Sequence, residues 1–334
     1  MKSRICIASA AEAALALITA VAVLLSFAFS VSADAIAADA PVRVAIIDSG
    51  ISVKHLDASR VLEGENFVFP DKDTADRIGH GTAVAGLIIG SVDCMIPSAS
   101  LDAVLVPLVC ADTYPSGTVK KADAPTVAEA IIAAVDKYGC KVINLSMGFT
   151  EPDETLASAI SYADSRGAVV VAATGNDNII DPDRRYYPAV YDGVLGVGAS
   201  DQNGSIAEFS GRHGADLLAP GERIATATNK NSDEAAIVSG TSYACAYVSA
   251  ALAELADNYE TALELRTALL ETVRVYGTYR VIGIKSRAIM PDSLKKYLRE
   301  ISRKYFFAIL RMCDADCRKS QNENLTEIKY FQNT

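Results

Sequence analysis

Five short runs in this chain place apolar residues on successive positions rather than alternate ones: residues 42–47, 101–109, 141–145, 168–173 and 194–197. A strand with one wet face alternates apolar and polar residues, because successive side chains point to opposite sides. A strand that is apolar on successive positions must be covered on both faces. Helix-patterned segments at 83–89, 126–138 and 154–165 separate the first four runs, and another follows the last at 263–273. Thr126, with Glu129 three residues on, reads as a helix start, and Gly167 as a helix stop. The pattern predicts an α/β fold: a doubly wound, mostly parallel sheet with helices on both faces. In such sheets ligands bind outside the carboxyl ends of the strands. Asp48, Ser146 and Asn176 each stand just past such an end.

Composition narrows the classes further. The chain has 334 residues, 50% of them hydrophobic, which is ample for one large core. A net charge of −10 and a pI near 4.9 exclude bulk binding to nucleic acid. Lys2 and Arg4 precede an uncharged apolar run from 13 to 33, with small-x-small patterns at Val31-Ser32-Ala33 and Ala35-Ile36-Ala37. Residues 1–33 therefore read as a secretory signal peptide. Uncleaved, the same run is long enough to be an N-terminal membrane anchor. Either reading makes the protein secreted or extracytoplasmic. Residues 41–283 form the expected globular domain and 284–334 a separate tail.

The seven cysteines are Cys6, Cys94, Cys110, Cys140, Cys245, Cys313 and Cys317. Export permits disulfides. Cys94 and Cys110 flank one strand-like run, and Cys313 and Cys317 lie one helical turn apart. These are the favoured pairs, although spacing alone does not set connectivity. Cys245 lies in an apolar helix and reads as a small buried hydrophobe.

Residues 239–251 read Ser-Gly-Thr-Ser-Tyr-Ala-Cys-Ala-Tyr-Val-Ser-Ala-Ala. This is a tight turn opening into a buried helix with Ser242 at its entrance. The first N–H groups of a helix lack intrahelical partners and face whatever sits there. A serine so placed attacks a carbonyl only if a base takes its proton and a third group orients that base. Of the three histidines, His80 sits between two glycines, while His55 and His213 lie in polar, turn-like stretches and read as surface or structural residues. Asp48 closes a strand and suits the orienting role. Taken singly, Ser242 reads as a helix cap, Asp48 as a turn cap and His80 as a polar helix-start residue.

Taken in order, the words around these residues resemble the subtilisin-like (subtilase, S8-type) serine peptidases. Val44-Ala45-Ile46-Ile47-Asp48-Ser49-Gly50 resembles the aspartate motif, residues 79–86 (Gly-His-Gly-Thr-Ala-Val-Ala-Gly) the histidine motif, and Gly240-Thr241-Ser242 the serine motif. Ala172-Ala173-Thr174-Gly175-Asn176 resembles the segment that carries the oxyanion asparagine. The stretches 97–101, 144–148 and 209–221 agree as well, so the resemblance runs from about Pro41 to Val273. It implies Ser242 as nucleophile, His80 as general base, Asp48 as its orienting partner and Asn176 with the Ser242 N–H as oxyanion donors. Ser146, Met147 and Gly148 would pair with the substrate backbone. Ala173, Thr174 and Gly175 would wall the pocket for the residue before the cut. The implied substrate is an extended segment of peptide or protein, added as a strand. A monomeric catalytic domain is expected, with no cofactor. Calcium is common in the family, but no ligand set, and so no metal site, is assignable. A cis proline is expected at Tyr187-Pro188.

The family usually has Met-Ala-x-Pro-His after the nucleophile. Here residues 243–247 are Tyr-Ala-Cys-Ala-Tyr, so Tyr243 is expected to alter the pocket and Ala246 to keep the helix intact. Ala83 stands where many members have a second histidine. No prodomain fits before Val42, so the expectation is unaided folding, a partner that supplies the prodomain's role, or another restraint on activity. Beyond the resemblance, Leu294, Leu298, Ile301, Tyr305, Ala308 and Met312 recur at helical spacing among eleven basic and six acidic residues from 284 onward. Such a helix either packs on the catalytic domain or meets a membrane surface or partner. A dedicated processing protease with a single target and a non-catalytic peptide-binding relative remain the alternatives to a general endopeptidase.

Overall fold

The computed structural model describes residues 41–231, 233–276 and 279–281. The expected signal peptide or anchor at 1–33, and the expected tail from 284 with Cys313 and Cys317, lie outside the described residues. In chain order the elements are β1 Val42–Asp48, β2 Glu65–Asn66, α1 His80–Ile89, β3 Ala103–Val109, β4 Ala111–Thr113, β5 Val119–Lys121, α2 Ala124–Asp136, β6 Val142–Leu145, α3 Glu154–Ser165, β7 Val169–Ala173, β8 Val194–Ser200, β9 Leu217–Pro220, β10 Ile224–Thr226, β11 Ala236–Val238, α4 Thr241–Ala253, α5 Ala262–Thr272, β12 Arg274–Tyr276 and β13 Tyr279–Val281.

Among the described residues nine strands form one sheet, in the order β2-β3-β1-β6-β7-β8-β9-β13-β12. The pairs from β2 to β13 are parallel, and only β12 runs antiparallel to its neighbour. The chain builds outward from β1 to β3, then crosses back to β6 and continues through β7, β8 and β9. The strand order therefore switches beside β1, and the β1 and β6 carboxyl ends flank a crevice there.

Both faces of the sheet are dry. Val44 and Ile46 of β1 join a core with α1, α4 and α5. Ala45 and Ile47 join a second core with α2 and α3. That two-sided burial is the physical reason for the apolar runs. Ile46 and Ile47 are both fully buried, on opposite sides, and burying such a side chain contributes about 1.5–3 kcal/mol. Among the described residues no helix is long and apolar enough to cross a membrane.

Several sequence expectations shift. Helix α2 starts at Ala124, not Thr126, because Asp123 caps it by accepting from the Thr126 N–H at 3.0 Å. Thr126 is a capped residue there, and Pro125 fits the first turn, where a missing N–H is harmless. β3 begins at Ala103, since Leu101 is drawn out by an N–H bond to Glu254 Oε1 at 2.7 Å. The expected Cys94–Cys110 pair is absent: Cys94, Cys110, Cys140 and Cys245 are all free and buried. Cys110 packs in the α2–α3 core as an apolar residue would. Burial pushes the Cys140 thiol up to about 12, with the Arg43 charge opposing. Tyr187–Pro188 is cis, and α4 continues past Ala246 to Ala253.

Candidate active site

Asp48 is the last residue of β1 and is nearly fully buried. Its carboxylate accepts the Ser49 N–H at 2.7 Å and meets His80 Nδ1 with both oxygens, at 2.8 and 2.9 Å. His80 opens α1 and keeps about a third of its side chain in solvent. Gly81 lets the two elements come this close, because a β-carbon there would fall 2.2 Å from the Gly50 carbonyl oxygen. The Asp48 charge holds the His80 imidazole above its ordinary value of 6.5. Burial acts the other way, while the hydrogen bond to Asp48 and the Asp76 charge add to the rise.

Asp76 is a member of this site that the sequence reading missed. Its cap residue Gly79 offers α1 no side-chain acceptor, yet the first helix N–H groups need one. Asp76 supplies it. One carboxylate oxygen accepts from Ser49 Oγ (2.9 Å) and from the N–H groups of Ile78 (2.9 Å) and Gly79 (2.7 Å). The other accepts the N–H and hydroxyl of Thr82, at 2.8 and 2.6 Å. Ser49 Oγ in turn accepts the Gly81 N–H at 2.9 Å. An acidic residue three positions before a glycine cap was the available signal.

Ser242 is the second residue of α4, whose N-cap is Gly240. Its N–H is thus among those left without an intrahelical acceptor. Its hydroxyl donates to the Ser146 carbonyl at 3.1 Å, just past the end of β6. Ser146 Oγ donates back to the Ser242 carbonyl at 3.2 Å and accepts from Asn144 Nδ2 at 2.8 Å. Asn144 Oδ1 then accepts the Ser249 hydroxyl at 2.9 Å. This buried network locks α4 to the rim of β6. Tyr243, expected to alter the pocket, sets its ring beside His80, with centroids 5.5 Å apart.

Asn176 is exposed just past β7. Its Oδ1 accepts both the N–H (2.9 Å) and the hydroxyl (3.0 Å) of Thr241. With the oxygen so held, Nδ2 is left to donate, and it faces Gly240 at the helix entrance. Thr241 was not singled out in the sequence. Of the expected pocket residues, Thr174 spends its hydroxyl on the Gly211 carbonyl at 2.8 Å, so it presents backbone only. Ala173 ends β7, and Gly175 binds the Thr241 hydroxyl through its N–H at 3.2 Å. Met147 packs toward the α2–α3 core, and of that segment only Gly148 is exposed. His55 is not at the surface: it is buried, with Nε2 2.9 Å from the Lys230 carbonyl, and serves as a structural tie. His213 lies 3.9 Å from Asp183, away from these contacts. Among the described residues no three His, Cys, Asp or Glu side chains converge where a metal could sit.

A histidine clamped by a strand-end carboxylate, with a serine at a helix entrance on the same rim of a parallel sheet, is the layout of an α/β serine peptidase. Residues 39–297 match the model of the subtilase family (Peptidase S8), and the chain belongs to that family of serine endopeptidases. It is 35% identical over 253 residues to thermitase of Thermoactinomyces vulgaris, covering 73% of this chain and 85% of that one. It is also 35% identical over 241 residues to the thermophilic serine proteinase of Bacillus sp. strain AK1, covering 70% of this chain and 57% of that longer relative. Among solved structures, the nisin leader peptidase of Lactococcus lactis superposes with a TM-score of 0.60 at 26% identity, over 74% of this chain and 86% of that one.

Proposed function

We propose that this protein is an exported endopeptidase that cuts extended polypeptide segments, with Ser242 as nucleophile, His80 as base and then acid, Asp48 as orienting carboxylate, and Asn176 with the Ser242 N–H as oxyanion donors. The observation that carries the reading is the two-oxygen clamp of Asp48 on His80 Nδ1, at 2.8 and 2.9 Å. It fixes the tautomer: Nδ1 carries the proton, and Nε2 is free to accept one. The Ser242 hydroxyl turns from the Ser146 carbonyl toward Nε2 as substrate arrives. Oγ then bonds to the scissile carbonyl carbon and its proton passes to His80. The amine leaves with that proton, and water repeats the sequence on the acyl-enzyme. The negative oxygen of each tetrahedral intermediate is met by Asn176 Nδ2 and the entrance of α4, where the helix field favours negative charge. Substrate backbone adds as a strand along residues 146–148. The apolar run at 13–33 supports export, which N-terminal sequencing of the mature protein tests.

The test of the chemistry is fluorophosphonate labelling of the full chain beside a Ser242→Ala copy, together with cleavage of an unfolded polypeptide. The expected result is labelling and cleavage that both vanish in the variant. A folded parent that neither labels nor cleaves overturns the proposal.

A further inference from the structure

The gap between the two segments that flank the nucleophile is occupied by a side chain of the protein itself. On one side of Ser242 lies Ser146, bonded to its hydroxyl. On the other lies Asn176, bonded to its neighbour Thr241. These two rims follow β6 and β7, which are adjacent and in register at Leu145 and Ala172. A carbonyl attacked by Ser242, with its oxygen toward Asn176, directs the side chain on its acyl side into the gap between residues 146–148 and 173–175. Tyr186 stands in that gap. A β-carbon at Gly148 would fall 3.2 Å from its Cδ1, and one at Gly175 would fall 2.2 Å from Cδ2 and 2.3 Å from Cε2. Opposite edges of one ring thus touch opposite walls, and glycine on both walls makes room for it.

The ring is also anchored. Phe149 and Tyr187 exchange both backbone hydrogen bonds, at 2.8 Å each, which fixes the Tyr186 backbone beside Gly148. Its hydroxyl donates to Asp177 Oδ2. Asp177 is held in turn by Arg184 Nη1 at 3.1 Å, and Arg184 Nε binds Asp181 at 3.2 Å. Part of the ring remains exposed and so is available to touch substrate.

We infer that Tyr186 is the floor of the primary specificity pocket and shortens it, so that this peptidase cuts after small residues such as glycine, alanine and serine and rejects large aromatic or aliphatic ones. The inference rests on the function proposed above and names its substrate class. A large side chain would have to expel a ring held at its backbone, at both edges and at its hydroxyl.

The experiment uses the full-length protein and a series of internally quenched peptides that differ only at the residue before the cut: glycine, alanine, serine, leucine and phenylalanine. A pocket mismatch of this size is expected to favour alanine over phenylalanine in kcat/KM by on the order of 100-fold. Tyr186→Gly is expected to raise kcat/KM for phenylalanine and leucine relative to alanine by a similar factor. Fluorophosphonate titration of active sites normalises each variant to its folded fraction. A parent that cuts after phenylalanine as readily as after alanine overturns the inference and leaves the peptidase reading standing. So does a variant that labels fully yet gains nothing on large residues. A parent that cuts none of the peptides and does not label overturns the proposed function, and the inference falls with it. Where the variant fails to fold, the parent profile alone can still overturn the inference.

Discussion

Asp76→Ala is the sharpest test of how the base is held. The Asp76 carboxylate is 7% exposed and accepts five hydrogen bonds, from Ser49 Oγ, Ile78 N, Gly79 N, Thr82 N and Thr82 Oγ1. A hydrogen bond to a charged group contributes about 1.5–3 kcal/mol net. The five do not add. The two hydroxyls can rotate, and the Ile78 and Gly79 N–H groups lie near solvent. Thr82 is fully buried, so its N–H is stranded. The carboxylate also sits against the positive end of α1, where a charge contributes up to about 1 kcal/mol more. The expected loss is therefore about 4 kcal/mol, roughly 8–16 °C in Tm for a domain of this size. Asp76→Asn keeps the shape but sets an NH2 group against one set of N–H donors, so it should fall between parent and Ala. Denaturant unfolding in a Ser242→Ala background measures this without self-digestion. In the active background, slippage of the Ser49–Gly81 tie beneath His80 should lower the labelling rate by on the order of 100-fold. If both variants unfold within about 1 kcal/mol of the parent and label at its rate, Asp76 does not organise the histidine loop.

Further outcomes follow for the two variants beside the nucleophile and for pH. Asn176→Leu should lower kcat by about 100- to 1000-fold with KM nearly unchanged, the size of loss seen when one oxyanion donor is removed from a subtilisin. Thr241→Val, which removes only one bond orienting the amide, should cost roughly fivefold, about one neutral hydrogen bond, and steady-state kinetics in which KM rises with kcat intact would refute both. The activity profile should rise through a midpoint above 6.5, because catalysis needs neutral His80 and the Asp48 charge favours the imidazolium. Stability runs the other way. A folded value above the unfolded one makes the His80–Asp48 contribution complete below about pH 6.5 and lost as pH rises through the folded value. A kcat/KM midpoint at or below 6.5 in the parent contradicts the coupling.

The architecture was legible because burial on both faces leaves a mark on every strand, as Ile46 and Ile47 show by serving opposite cores. Asp48, His80, Asn176 and Ser242 were legible because each stands at an element end inside a recognisable word. Asp76 was not, since most of its partners are backbone N–H groups, which every residue type carries. Tyr186 was not, since its meaning lies in a gap between two glycines that stand just past two different strands. Cys94 and Cys110 misled because a buried apolar cysteine and a paired one look alike along a chain. The start of α2 slipped because Asp123 and Thr126 are both good caps, and only the three-dimensional hydrogen bond distinguishes them.

Helix α4 is threaded through the middle of the molecule, with eleven of its thirteen residues buried. It covers the faces of β6, β7, β8 and β9 and meets α1. It is also late: a chain made from its N-terminus presents Asp48 and His80 long before Ser242. Until residues 241–253 emerge, β6 to β9 lack their cover on the α1 side and Ser242, the proposed nucleophile, is missing. Parallel pairings between distant segments already make such a chain slow to fold. The step that seals the hydrophobic interior is the same step that delivers the cutting group, so an unfinished molecule is digestible but unarmed. The finished one becomes able to cut only once its own backbone has been withdrawn from the extended form it cuts.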